Sequence, residues 1–194
     1  MVTAPPTLSQ RRRSQTREEI HRVAVDLVLE RGLANVTVDD IAAAAGVSPR
    51  TFFNYFPTKR DALVWEPPQL PAESLTRFVT GDGRLRDDLR DLLVAYVERS
   101  PRRRDDIQRL HAVVSAHPEL SPLAQERFRR FEAILAEAVA RRLGAETVTF
   151  EASVIAAVAA AVLRAATWEW RDSGDDSPLS ERLAEAFAAV GLLD

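Results

Sequence analysis

No cysteine occurs among the 194 residues, which excludes disulfides and thiol chemistry. Lysine is nearly absent too: Lys59 is the single lysine among 26 basic residues, a bias that fits GC-rich coding better than any physical demand. Three histidines (His21, His111, His117) are present, and no two of them stand at metal-ligand spacing on one helix face. The chain also lacks a nucleophile motif and a Gly-rich phosphate loop. Its paired aspartates, Asp87-Asp88, Asp105-Asp106 and Asp175-Asp176, are sequence neighbours, and adjacent helical positions diverge by about 100°, so none forms a carboxylate dyad. These absences argue against an enzyme, a metal site or a bound cofactor. The longest apolar run, Val154 to Leu163, is ten residues, too short for a bilayer. Residues 1–13 are polar, with no apolar leader core. A soluble, cytoplasmic chain without a membrane partner is the expectation.

Hydrophobic residues make up 46% of the chain, enough to bury a sizeable core. The net charge of −3 does not by itself advertise a nucleic-acid protein, but its distribution is uneven. Residues 1–65 hold nine Lys/Arg against seven Asp/Glu, and the remainder 17 against 22. A mildly basic head on an acidic body fits DNA binding confined to one end.

Residues 37–56 are the most informative stretch. Thr37, with Asp40 three residues on, reads as a capping box opening a short helix that buries Ile41 and Ala45. Gly46 stops that helix at a turn needing positive φ. Ser48 then offers an N-cap oxygen, and Pro49 falls at the first position of a second helix reaching about Phe56. Two short helices about a tight Gly-containing turn are a helix-turn-helix, whose second helix enters the major groove. An αα-hairpin inside a plain bundle has the same outline. The second helix, however, carries Arg50, Thr51, Asn54 and Tyr55, with Lys59 just after, where a solvated bundle helix would carry Glu/Lys pairs.

The run Ile41-Ala42, Gly46-Val47-Ser48, Thr51-Phe52-Phe53-Asn54-Tyr55-Phe56-Pro57-Thr58-Lys59, Ala62-Leu63 resembles the N-terminal domain of the TetR family of transcriptional regulators. The likeness extends over about residues 14–65 without a gap. The resemblance implies phosphate contacts for Thr37, Tyr55 and Lys59, with Thr37 equally readable as a plain N-cap. It implies groove-facing roles for Arg50, Thr51 and Asn54, with Pro49 at the helix entrance. Arg50 suits guanine and Asn54 adenine. Phe53 stands where the family often has tyrosine; it keeps apolar contact with a thymine methyl but lacks a phosphate-reaching hydroxyl. Phe52 and Phe56 are read as core. Asp39 occupies a place where some members carry a basic groove contact, so the first helix of the motif reads few bases.

The rest of the chain reads as all-α, with nine to ten helices in total and no competing strand pattern. Residues 1–13 read as a disordered basic arm, whose Arg11-Arg12-Arg13 either reaches a minor groove or serves as a solubilising tail. A helix from about Thr16 carries Ile20, Val23, Ala24, Leu27 and Val28 on one face and ends at Gly32. The helix-turn-helix domain spans 14–66. Its last helix, capped by Thr58 with Asp61, is expected to stop near Trp65 or Glu66. A proline-rich connector covers 67–83, with a short helix at about 73–79. A regulatory, ligand-binding and dimerisation domain covers 84–194. Its helices run from Leu85 to Arg99, from Ser100-Pro101, from Ser121-Pro122 to Gly144, from Thr147 to Asp172, and from Ser177-Pro178.

The last two of these helices are expected to make a homodimer. The penultimate one is Ala-rich (Ala156, Ala157, Ala159, Ala160, Ala161, Ala165, Ala166) and suited to close packing, within a subunit or between two. Family resemblance further implies a small-molecule effector and a double-stranded DNA operator as partners. Effector-lining candidates are Leu89, Leu93, Tyr96, Leu110, His111, Val114, Phe128, Phe131, Leu135, Arg164 and Trp168, each also readable as ordinary core. The proline-interrupted connector and Trp168-Glu169-Trp170-Arg171 resemble members that sense acyl-CoA or other lipophilic metabolites. A ligand-responsive repressor is thus the leading expectation, and a dimeric ligand-binding protein without operator binding the alternative.

Overall fold

A computed structural model describes residues 8–64, 66–67, 69–99, 103–174 and 176–190. Among these the chain is all-α. Ten helices follow one another: α1 (Leu8–Arg31), α2 (Val38–Ala44), α3 (Pro49–Phe53), α4 (Lys59–Leu63), α5 (Ala72–Thr80), α6 (Leu85–Glu98), α7 (Arg104–Ala116), α8 (Ser121–Arg142), α9 (Phe150–Asp172) and α10 (Leu179–Val190). They sort into two compact units. Of the described residues, one takes 8–66 together with Arg103–Arg127, and the other takes Pro67–Arg102 and 128–190.

In the first unit the apolar stripe of α1 is buried at every expected position: Ile20, Val23, Ala24, Leu27 and Val28. Ile41 and Ala42 of α2, Phe52, Phe56, and Ala62 and Leu63 of α4 close over it. Ala45, expected inside, is half-buried at the end of α2. Helix α1 ends at Gly32, whose φ of +77° needs a residue without a Cβ. Its start differs from the sequence reading. The Thr16 hydroxyl donates to the Arg12 carbonyl at 3.0 Å, one turn back, so Thr16 sits inside the helix and caps nothing. The expected disordered arm is therefore helical from Leu8, which puts Arg12 and Arg13 on α1; residues 1–7 lie outside the described residues.

Helix α7 was expected in the regulatory domain, yet it packs along α1 in the first unit. Val113, and Leu120 just past the end of α7, are fully buried against the same core. The reason is one of surface: about 50 residues in four helices, two of them five residues long, leave a side of α1 open, and small modules bury too little apolar area alone.

The second unit is built from α5, α6, α9, α10 and the greater part of α8. Helix α10 packs on α9 and α6, and α5 on α6. Gly81-Asp82-Gly83 is the predicted break. Arg142 of α8 donates to the Gly83 carbonyl at 2.9 Å and to Asp88 Oδ2 at 2.7 Å, clamping the turn. A Cβ at Gly83 would lie 2.8 Å from Asp88 Oδ1, so any side chain there would push the Asp88 carboxylate from its place on Arg142. Helix α9 starts two residues later than Thr147 suggested: the Thr149 hydroxyl accepts the Ala152 amide at 3.1 Å and is the N-cap. The Trp170 indole donates to the Ser177 carbonyl at 2.8 Å and ties down the α9–α10 loop. Ser100-Pro101, Trp65 and the end of the chain after Val190 lie outside the described residues.

Phe52 has no exposed surface and touches the rings of Phe53 and Phe56, at centroid distances of 5.6 and 5.8 Å. Phe52→Ala is expected to cost about 3–5 kcal/mol, a typical large-to-small core penalty. Urea unfolding followed by circular dichroism measures it, and a loss under 1 kcal/mol would contradict the packing described.

Candidate nucleic-acid interface and effector region

The helix-turn-helix is fixed by local hydrogen bonds. At the entry to α2 the Thr37 hydroxyl accepts the Asp40 amide at 3.1 Å, and Asp40 Oδ2 accepts the Thr37 amide at 2.8 Å. Both halves of the capping box are made. The Thr37 hydroxyl also donates to Asp40 Oδ2 at 2.5 Å. Those two bonds, hydroxyl first and then backbone N–H, hold the Asp40 carboxyl below its usual range. The box is therefore complete above ordinary carboxylate pKa values and opens only as pH falls through the lowered one. Thr37 has its hydroxyl proton engaged within the box, so a phosphate would have to share it. Gly46 takes φ +66° between α2 and α3. Ser48 then caps α3, accepting the Thr51 amide at 3.1 Å, and its oxygen lies 2.9 Å from the Thr51 hydroxyl.

Helix α3 is short, and the chain makes one further turn: the Asn54 amide reaches the Arg50 carbonyl at 3.2 Å and the Phe56 amide the Phe52 carbonyl at 3.0 Å. Its inner side is Phe52. Its outer side presents Pro49, Arg50, Phe53 and Asn54, all exposed, with Thr51 and Tyr55 half-buried at the margins. Phe53 keeps 55% of its surface in solvent, a high value for a phenylalanine beside a closed core. Arg50 and Asn54 make no side-chain hydrogen bond within the chain among the described residues, so their donors are free for another molecule.

Two cations grip the far end of this helix. Arg17 of α1 donates to the Tyr55 carbonyl at 2.9 Å, pairs with Glu66 at 2.8 Å, and stacks 4.5 Å above the Phe56 ring. One turn earlier, exposed Arg13 lies 5.7 Å from the Tyr55 ring. Residues Leu8–Arg17 hold four arginines and no acid, so the start of α1 is a basic flank beside the exit of α3.

Lys59 has partners inside the chain that the sequence reading did not foresee. Its ammonium donates to the Leu33 and Val36 carbonyls, 2.8 Å each, and is half-buried. The family resemblance put it on a phosphate. The geometry makes it first a strut, joining the start of α4 to the loop between α1 and α2, with one N–H left over. No signal in the sequence identified those carbonyls, 26 and 23 residues away.

The effector candidates fall in both units. Leu110, His111 and Val114 lie on α7 in the first unit, with His111 exposed and the other two half-buried. Leu89, Leu93, Tyr96, Phe131 and Leu135 belong to the second unit and are buried. There Tyr96 and Phe131 stack with centroids 5.1 Å apart. This cluster is packed. In the same unit the Arg164 guanidinium lies 4.9 Å from the half-buried Phe128 ring and 5.6 Å from that of Trp168. A small cleft of about 30 Å³, room for one water, lies elsewhere, between α5 and α6 beside Arg77 and Asp88.

Helix α9 has two apolar sides. Ala152, Ala156, Ala159, Leu163, Ala166 and Trp170 face the unit's own core. On the opposite side Phe150 is 86% exposed, Val154 45%, Val158 47% and Trp168 52%. With Ala157, Ala161 and Ala165 they form one continuous stripe at helical spacing. Apolar on both sides, α9 is the one helix among the described residues with the length and composition to cross a membrane, a test that the core helix of a water-soluble protein also passes.

Comparison with known proteins places these features. A model of bacterial regulatory proteins of the tetR family matches residues 20–64, and one of the MftR C-terminal domain matches residues 84–192. A Mycobacterium tuberculosis protein described as a mycofactocin biosynthesis transcriptional regulator, MftR, is 33% identical over 185 residues, 93% of this chain and 92% of the relative. The HTH-type transcriptional regulator TcmR of Streptomyces glaucescens is 41% identical over 59 residues, 30% of this chain and 26% of TcmR. Among solved structures, Thermus thermophilus FadR, a TetR-family transcriptional repressor in complex with lauroyl-CoA, superposes with a TM-score of 0.53 at 26% identity, over 90% of this chain and 92% of FadR.

The hydrogen bonds separate two kinds of variant. Lys59→Ala removes two charge-assisted bonds to carbonyls and is expected to lower stability by about 2 kcal/mol. Arg50→Ala and Asn54→Ala touch nothing in the fold and should stay within about 0.5 kcal/mol of wild type. Urea titration of the three variants checks this. Equal stability of Lys59→Ala and wild type would rule out the strut.

Proposed function

Because this chain belongs to the TetR family of transcriptional regulators and carries a C-terminal domain of the MftR type, we propose that it is a repressor whose palindromic operator is released on binding of an acyl-type effector. The observation that carries the reading is the outer face of α3: Arg50, Phe53 and Asn54 stand exposed on a helix whose every other side is fixed. Regulators of this family bind DNA operators and small molecules, typically as dimers.

In the proposed complex α3 lies in the major groove. Arg50 takes a guanine edge through O6 and N7, Asn54 an adenine edge, and Phe53 a thymine methyl. Pro49 and Thr51 sit at the groove wall. Thr37, Tyr55, the remaining N–H of Lys59, and Arg12 and Arg13 meet phosphates, which set register and not sequence. One short helix reads few base pairs, so two copies are needed, with recognition helices about 34–36 Å apart. The α9 stripe supplies an apolar face for the second copy, and α10 flanks it.

The FadR structure with lauroyl-CoA supports an acyl-CoA thioester as the effector class, and the MftR relative supports genes of mycofactocin biosynthesis as the target. The acyl chain would enter the packed cluster around Tyr96 and Phe131 by displacing side chains, with Arg164 and Trp168 of the same unit as further contacts. Release requires only that the effector prefer the DNA-incompetent state; a tenfold preference is about 1.4 kcal/mol.

Gel shift on DNA upstream of mycofactocin genes, titrated with lauroyl-CoA, tests the reading: binding at nanomolar protein and release by the thioester are expected. Release by free CoA alone, or no release at all, would overturn the effector class. Phe131→Ala is expected to shift the half-release concentration at least tenfold. For the dimer, Val158→Glu puts a charge in the middle of the α9 stripe and should yield a monomer by light scattering with loss of operator binding. A dimeric Val158→Glu would place the interface elsewhere.

A further inference from the structure

Arg127, on the first turns of α8, is the charged side chain buried among the described residues, with 5% of its surface exposed. Burying an ion costs several kcal/mol unless its hydrogen bonds are met, and an apolar residue of equal volume would fill the space without that cost. All its bonds run to α4. Nη1 donates to the Val64 carbonyl, and Nη2 to the Asp61 carbonyl at 3.2 Å and to Asp61 Oδ1 at 3.0 Å. The two carbonyls are at the C-terminal end of a five-residue helix, where no intrahelical partner exists for them. Burial lowers the affinity of the guanidinium for its proton, and the nearby Glu66 and Asp61 carboxylates act against that. The other Asp61 oxygen accepts the Thr58 hydroxyl at 2.6 Å, and Thr58 is the N-cap of α4, two residues beyond Phe56. A single carboxylate thus joins the exit of the recognition helix to a buried cation on α8. Arg127 is too deep to touch DNA itself.

We propose that Arg127 is a positioning residue for operator recognition: through Asp61 and the end of α4 it fixes the pose of α3, so that base readout depends on it while phosphate contact does not. The inference rests on the operator-binding reading above. Base edges demand placement of Arg50 and Asn54 within hydrogen-bond geometry, about 0.3 Å in distance. Phosphate attraction is long-ranged and tolerates a tilted helix. A variant that folds but lets α4 shift should therefore lose discrimination and keep non-specific affinity.

The experiment takes the full-length protein and a duplex selected by it from a random pool, with a scrambled duplex of equal length. Both are titrated at several salt concentrations for wild type, Arg127→Met, Arg127→Lys, Asp61→Asn and the Arg127→Met/Asp61→Asn pair, with melting temperatures measured alongside. The selected-to-scrambled affinity ratio should fall at least tenfold in Arg127→Met, with scrambled affinity and salt slope unchanged. Arg127→Lys, which keeps the charge but cannot span three acceptors, should fall between, and carries the test if Arg127→Met does not fold. The paired variant should fall no further than Arg127→Met alone. A ratio unchanged in the folded variants, with only the melting temperature lowered, makes Arg127 a plain stabilising residue and overturns the proposal. Equal binding of both duplexes by wild type would remove the operator reading and this inference with it.

Discussion

An α-helix leaves its last four carbonyls without an intrahelical partner, and α3 and α4 are five residues long. Backbone amides of the next turn satisfy the Arg50, Thr51, Phe52 and Arg60 carbonyls; for those further on, helix amides cannot serve. Cations on flanking elements do so instead. Arg17 takes the Tyr55 carbonyl and Arg127 those of Asp61 and Val64, while Lys59, from the start of α4, takes the Leu33 and Val36 carbonyls of the loop between α1 and α2. His21 Nδ1 stands 2.7 Å from the Ala62 carbonyl, which can only accept, so that nitrogen carries the proton. The placement of the recognition helix is thus a matter of main-chain satisfaction as much as of apolar packing.

This arrangement explains why the module is larger than its motif. The donors come from α1, from the start of α4 and from α8, and the last of these needs α7 to bring the chain back. Val113 and Leu120 then complete the core that Ile20, Ile41 and Phe52 begin.

What could be read from the residues divides along sequence distance. The Thr37–Asp40 box, the Gly46 turn and the Ser48-Pro49 cap involve partners three residues apart, and each was legible because local chemistry decides it. So was the buried stripe of α1. Thr16 misled because a Thr with Glu19 three residues on has a cap's spelling, and only the backbone shows the helix already under way. Thr147 and Thr149 offer the same oxygen two residues apart, and spacing cannot choose between them. The bonds of Lys59 and Arg127 span 23 to 66 residues and leave no local trace. The effector candidates rested on family resemblance, which is silent on the compact unit each helix joins; α7 belongs with the helix-turn-helix unit. The outer stripe of α9 was hidden by alanine, which reads alike on a face turned to its own core and on one turned outward.

The scarcity of lysine has a practical outcome. With one ε-amine in the chain, any acylating enzyme or amine-directed reagent meets a single side-chain address. That address is held by two carbonyls while the module is closed. A modified Lys59 cannot keep both bonds, since acylation leaves one N–H where the ammonium has three. Chemical footprinting of this chain therefore reports on the opening of one specific strut, and covalent modification there would loosen the DNA-reading head rather than mask its surface.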